Sequence, residues 1–183
     1  MTKNTHASIY CGCMSIFLLE EKDQMKLLFL DVDGVLNNAT TKARAPSGCA
    51  GIEDKLVKNL AKIIEQTQAK IILTSDWKIE WEEFDFCCSE DAKYLNRKLK
   101  KHGLKILSKT YDEHVYDCFF EDRGKGIHKF MDKVKELEAH VVIDDHCFFD
   151  FDEDIKKHLV LTDYNVGLAE KDVEKAVKIL NMG

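Results

Sequence analysis

The sequence predicts an α/β fold, a three-layer α/β/α, Rossmann-like sandwich around about five parallel strands. Three observations predict it. Five short apolar runs alternate with helical patterns between residues 26 and 181. No repeat, low-complexity tract or linker interrupts them, and the single proline is Pro46. The runs are continuously apolar rather than alternating, as strands covered on both faces must be. Helical crossovers between such strands are right-handed, which leaves a doubly wound sheet as the solution.

The elements follow in order. KLLFLD (26–31) is the first strand. Residues 52–64 place Ile52, Leu56, Leu60, Ile63 and Ile64 on one helical face. KIILTS (70–75) is the second strand, followed by a charged segment carrying Trp77 and Trp81, read as a helix. Residues 92–102 form a helix with Leu95 and Leu99 four apart, and LKIL (104–107) is the third strand. A helix over 126–138 presents Ile127, Phe130, Met131, Val134 and Leu137. HVVID (140–144) and HLVLTD (158–163) are the fourth and fifth strands, and a last helix uses Val173, Ala176, Val177 and Leu180. The acidic run Asp150, Asp152, Glu153, Asp154 reads as a solvated loop.

A chain of 183 residues fits one domain with a real core. With 45% hydrophobic and 33% charged residues it is globular, not disordered. A net charge of −6 argues against a broad electrostatic nucleic-acid surface, though not against a local basic patch for phosphate. Seven cysteines without a CxxC pair imply free thiols, no structural zinc and no disulfide framework. IYCGCMSIFLL (9–19) is too short to span a bilayer and lacks the flanks of a signal peptide. A cytoplasmic location without a membrane partner is therefore expected. Met25 stands immediately before KLLFLDVDG, so residues 1–24 are expected to be an N-terminal extension, loosely attached or arising from a start assigned too far upstream. The domain is then 25–183.

The strand ends carry the chemistry. Ligands in such sheets sit beyond the carboxyl ends of the strands. There the sequence sets Asp31-Val32-Asp33-Gly34, Thr74-Ser75-Asp76 and Asp144-Asp145. Side chains two apart in extended backbone share a face, so Asp31 and Asp33 can address one pocket, and Gly34 permits a sharp exit. Adding Asp144 and Asp145 gathers carboxylates that repel unless a hard cation joins them. An oxygen-only donor set describes Mg²⁺. Phosphate is the usual second ligand of such an ion, and a carboxylate can attack its phosphorus. Thr74 offers a hydroxyl for the developing charge; Arg123-Gly124-Lys125, opening a helix, offers a cation and backbone amides.

DVDGVLN, ILTSD, RGKGI and VVIDD, in that order, resemble the four signature motifs of the haloacid dehalogenase (HAD) superfamily of phosphatases, over about residues 26–181. TSDWK, IDD and the tail TDYNVGLAEKDVEKAVKIL are similar to the HAD domain of multidomain RNA repair proteins. The resemblance implies Asp31 as nucleophile and Asp33 as general acid and base. It implies Thr74, with Ser75 beside it, as phosphate ligands, and Asp31, Asp33 (through its carbonyl), Asp144 and Asp145 around Mg²⁺. The third motif normally presents a lysine; here Arg123 holds that position and Lys125 follows two residues later. Both are candidates for the phosphate-binding cation, with Arg123 favoured. An acid at position 33 favours phosphoester hydrolysis, because a leaving alkoxide needs a proton and a leaving halide does not.

Neither the segment after the first motif nor that between Trp77 and Arg123 has room for a large cap, so little or no cap and an open site are expected. An open site suits a bulky phosphorylated substrate, with a nucleotide or RNA end favoured. Hydrolysis of a small-metabolite or protein phosphate, and a catalytically retired phosphate-binding module, are the competing readings. Trp77 and Trp81 are read chiefly as core residues, with base stacking as their alternative. KLKKH (98–102) is read as a wet helical face, and His146 as no ligand.

Overall fold

The computed structural model describes residues 24–110 and 123–182. Apart from Gln24, the expected extension lies outside the described residues. The chain builds β1 (Met25–Leu30), α1 (Asp54–Thr67), β2 (Lys70–Leu73), α2 (Glu90–Lys100), β3 (Ile106–Lys109), α3 (Arg123–Met131), β4 (Leu137–Asp144), α4 (Glu153–Lys157), β5 (Leu159–Leu161) and α5 (Glu170–Leu180). The strands form one parallel sheet in the order β3-β2-β1-β4-β5.

Alternation along the strands divides the core in two. Leu28 and Leu30 of β1, Ile71 and Leu73 of β2, and Val141 and Ile143 of β4 face one way, into a cluster with Leu56-adjacent Val57, Leu60, Leu95, Val173 and Ala176 of the helices α1, α2 and α5. Leu27, Phe29, Ile72 and Val142 face the other way, against Ile127 and Phe130 of α3 and Ile155 of α4. Each such side chain, taken fully out of water, contributes about 1.5–3 kcal/mol. Phe29 adds an edge-to-face contact with Phe130, with ring centroids 5.9 Å apart.

Local signals explain the helix ends. Ser89 caps α2 by accepting from the Ala92 amide at 3.2 Å, with acids in the first turn and bases in the last. α1 ends where Gln68 turns left-handed, at φ 57°.

Three expectations change. The helix predicted over 126–138 stops at Met131, and Leu137 begins β4 opposite Met25. Its apolar spacing fits a helix, but pairing with β1 claims Leu137 for the sheet. The acidic run is not a loop: Asp152 caps α4, accepting from the Ile155 amide at 2.9 Å. Trp77 sits in a single 3₁₀ turn, Asp76–Glu80, and Trp81 ends it. Between β2 and α2 the chain makes only this turn and a second one, Asp85–Cys87, so no cap domain is inserted there. Among the described residues no helix is long and apolar enough to cross a membrane.

Candidate active site

The carboxyl ends of β1, β2 and β4 meet beside the central strand. Asp31 still belongs to the sheet ladder, its amide donating to the Ile143 carbonyl at 3.0 Å. The chain then turns sharply, with Leu36 N–H donating to Val32 O at 2.8 Å and Gly34 at φ 71°. A side chain there would collide with Asp145: a Cβ would stand 2.3 Å from Asp145 Oδ2. The Thr162 hydroxyl, beyond β5, donates to the Gly34 carbonyl at 2.9 Å and braces the turn from below. Thr74 is tied to β1 by its amide, which donates to Leu30 O at 2.9 Å.

Arg123, the first residue of α3, lies buried between two carboxylates. Its Nη1 donates to Asp31 Oδ1 at 2.8 Å and to Asp144 Oδ2 at 2.7 Å. Nη2 stands 3.5 Å from Asp76 Oδ1, and the guanidinium lies 4.4 Å above the Phe148 ring. Burial alone would pull the Arg123 pKa down; the Asp31 and Asp144 charges more than reverse this, so it stays charged. For Asp31, burial and then Asp144 push the carboxyl up to about 7, against the opposing pull of Arg123. Burial likewise raises Asp144 and, less enclosed, Asp145.

The sequence-predicted residues separate into groups. One oxygen each from Asp31, Asp144 and Asp145 lie within 4.8 Å of one another. The Asp33 carboxylate is not among these three. It is held at the mouth, accepting from Asn37 Nδ2 at 2.7 Å and from Trp77 Nε1 at 3.0 Å. Thr74 is fully buried, and its hydroxyl has no hydrogen-bond partner among the described residues. Ser75 is buried beside it, at the start of the 3₁₀ turn. Lys125 is different: its side chain is exposed, while the Arg123 guanidinium alone of the two reaches the carboxylates. The α3 amides, expected to await phosphate, are already engaged. Gly124 N–H and Lys125 N–H donate to Asp150 Oδ2 at 2.7 and 3.2 Å, so a carboxylate of the chain occupies the helix N-terminus.

Sequence reasoning missed Asn37, Asp150 and Phe148, and gave Trp77 no role toward Asp33. Asn37 carried a faint signal, four residues beyond Asp33 and inside the motif. Its Oδ1 also accepts from the Gly34 amide at 2.9 Å, closing the turn on itself. Trp81, by contrast, is core: it is buried and donates to Asn96 Oδ1 at 2.9 Å.

The donor set suits a small hard cation. Three convergent carboxylates, when ionised, carry more negative charge than one guanidinium balances, repulsion from Asp144 adds to burial in raising Asp31, and all donors are oxygen. No curated protein and no solved structure matches the chain. A family described as the HAD domain in Swiss Army Knife RNA repair proteins matches residues 27–173 and takes in all of these strand ends. With its five-stranded parallel sheet, the chain belongs to this family of HAD-type hydrolase domains.

Proposed function

We propose that the protein is a Mg²⁺-dependent phosphomonoesterase that works through an aspartyl phosphate on Asp31, with a nucleotide or RNA-end phosphate as its substrate class. One observation carries the reading: a buried carboxylate at the tip of the central strand, beside an unpartnered buried hydroxyl and a buried guanidinium. Such a Thr74 hydroxyl is costly unless a ligand accepts or donates there.

Asp31 attacks phosphorus, and the bond to the leaving oxygen breaks as Asp33 delivers a proton to that oxygen. Asp33, now ionised, takes a proton from water, whose oxygen attacks the same phosphorus. Inorganic phosphate departs and Asp31 is regenerated. Asn37 and Trp77 keep the Asp33 carboxylate at the mouth, where a leaving group and then water can reach it. Thr74 donates to a phosphoryl oxygen, and Arg123 keeps Asp31 and Asp144 together while adding positive charge. Asp31, Asp144 and Asp145 would hold Mg²⁺, which supplies charge neutralisation for the phosphoryl oxygens when bound.

Two features support the substrate class. The family takes its description from RNA repair proteins. Beyond β2, Phe84 and Phe86 stack with ring centroids 5.7 Å apart, and Phe86 is 82% exposed. An exposed aromatic pair suits a nucleobase better than a small metabolite.

The test is phosphate release from mononucleotides, 5′- and 3′-phosphorylated RNA oligomers, sugar phosphates and a phosphopeptide, each with Mg²⁺ and with chelator. Metal-dependent release, lost in Asp31→Asn and greatest on nucleotides or RNA ends, is expected. Preference for a sugar phosphate would overturn the substrate class, and release retained by Asp31→Asn would overturn the mechanism.

A further inference from the structure

A second cluster lies on the α3/α4 face, towards the amino end of the sheet. His140 of β4 pairs in register with Leu27 of β1, whereas Asp31 leaves the opposite end of that strand. Asp154 lies in the first turn of α4, and His158 is its C-cap. One ligand atom from each of these three residues lies within 4.8 Å of the others. We propose that His140, Asp154 and His158 form a binding site for a divalent transition-metal ion, with Zn²⁺ the best fit, that fastens α4 to β4.

Three details favour an ion over a polar contact. His140 is 8% exposed, and its buried Nε2 makes no hydrogen bond among the described residues. Buried polar atoms are rarely left so without a water or ion. That Nε2 stands 3.5 Å from Asp154 Oδ2, too far for a good hydrogen bond. It is close to the roughly 3.4 Å edge of a tetrahedron built on Zn²⁺ bonds of about 2.0–2.1 Å. Finally, His158 closes the cluster: its Nδ1 lies 2.8 Å from the Asp154 carbonyl and 3.3 Å from Asp154 Oδ1, and its ring centroid is 4.3 Å from that of His140.

The neighbouring His128 offers a contrast. Its Nε2 is satisfied by Asp152 Oδ2 at 3.0 Å and needs no ion. Two imidazoles and one carboxylate favour Zn²⁺ over Mg²⁺, so this site and the acidic trio select different metals. Cysteine spacing, which argues against a structural zinc, is blind to histidines brought together by a strand and a helix. The site also has something to hold: α4 has five residues, too few to persist alone. It fixes the far end of the segment carrying Asp145, Phe148 and Asp150.

The experiment uses the full chain, stripped of metal, carrying Asp31→Asn and Asp144→Asn to silence the acidic trio. Co²⁺ titration should give one tight site with a visible d–d band, displaced by Zn²⁺. His158→Ala, at a partly exposed position, should weaken uptake at least about 10-fold. His140→Ala should do the same, and His128→Ala should leave uptake unchanged. Absence of uptake, or uptake equally tight in His158→Ala and His140→Ala, would overturn the site. Loss of uptake in His128→Ala alone would overturn it too, by moving the ion to the neighbouring pair.

Discussion

With its carboxyl pushed up to about 7 by burial and by Asp144, Asp31 keeps a proton near neutrality in the metal-free protein. The folded state therefore holds that proton more tightly than the unfolded chain, in which the value is 3.8. The stability this group contributes is full below the unfolded value and is lost as pH rises through the folded one. In chelator, the Tm of the wild type should fall relative to Asp31→Asn between about pH 4 and 7, and Mg²⁺ should close the gap at pH 8. A gap that stays constant across this range would mean that Asp31 is ionised throughout. A second expectation concerns Asp33. Trp77→Phe removes one of its two donors and should lower kcat by about 10-fold, far less than the 10²–10⁴-fold lost with the acid itself. The check is steady-state kinetics on the best substrate, and an unchanged kcat would show that Asn37 suffices. The carboxylates were legible because they fall two apart, or side by side, at strand ends. Trp77 and Asp33 are 44 residues apart in sequence, and no local spacing reports a bond formed only by folding.

At the level of the element, the turn after β1 depends on Gly34. Its φ of 71° and the 2.3 Å approach of Asp145 to a Cβ there act together. Gly34→Ala should cost about 1–3 kcal/mol from backbone strain. It should also displace Asp145 and so weaken Mg²⁺ binding. Denaturant unfolding with and without Mg²⁺ reads both effects; stability loss with unaltered Mg²⁺ affinity would remove Asp145 from the cation site. The sequence marked this glycine correctly as the exit from β1, since the motif places it after two acids. It misjudged α3 at both ends. At the carboxyl end, Val134 and Leu137 continue a helical spacing although the sheet takes the chain. At the amino end, the amides looked free for phosphate because Asp150 lies 26 residues further on. A run of acids resembles a solvated loop until one of them is found at a helix N-terminus and another capping the next helix.

For the molecule as a whole, alternation of apolar runs and helices was enough to predict a parallel three-layer sheet. The order of the strands was not readable, because β1, β2 and β4 have similar apolar runs and only tertiary pairing decides which lies centrally. That β1 is central has a consequence for how the protein comes apart. β3 and β5, with four and three residues, are the edges; β1, with six, is paired on both sides. Local openings draw on edges and short elements first, and the most protected amides report global unfolding. In amide hydrogen exchange, Phe29, Leu30 and Asp31 should be among the slowest positions and the β5 amides among the fastest strand positions. The Asp31 end of β1 then cannot loosen ahead of the domain, so under denaturant the chemistry should survive until the cooperative transition and vanish with it.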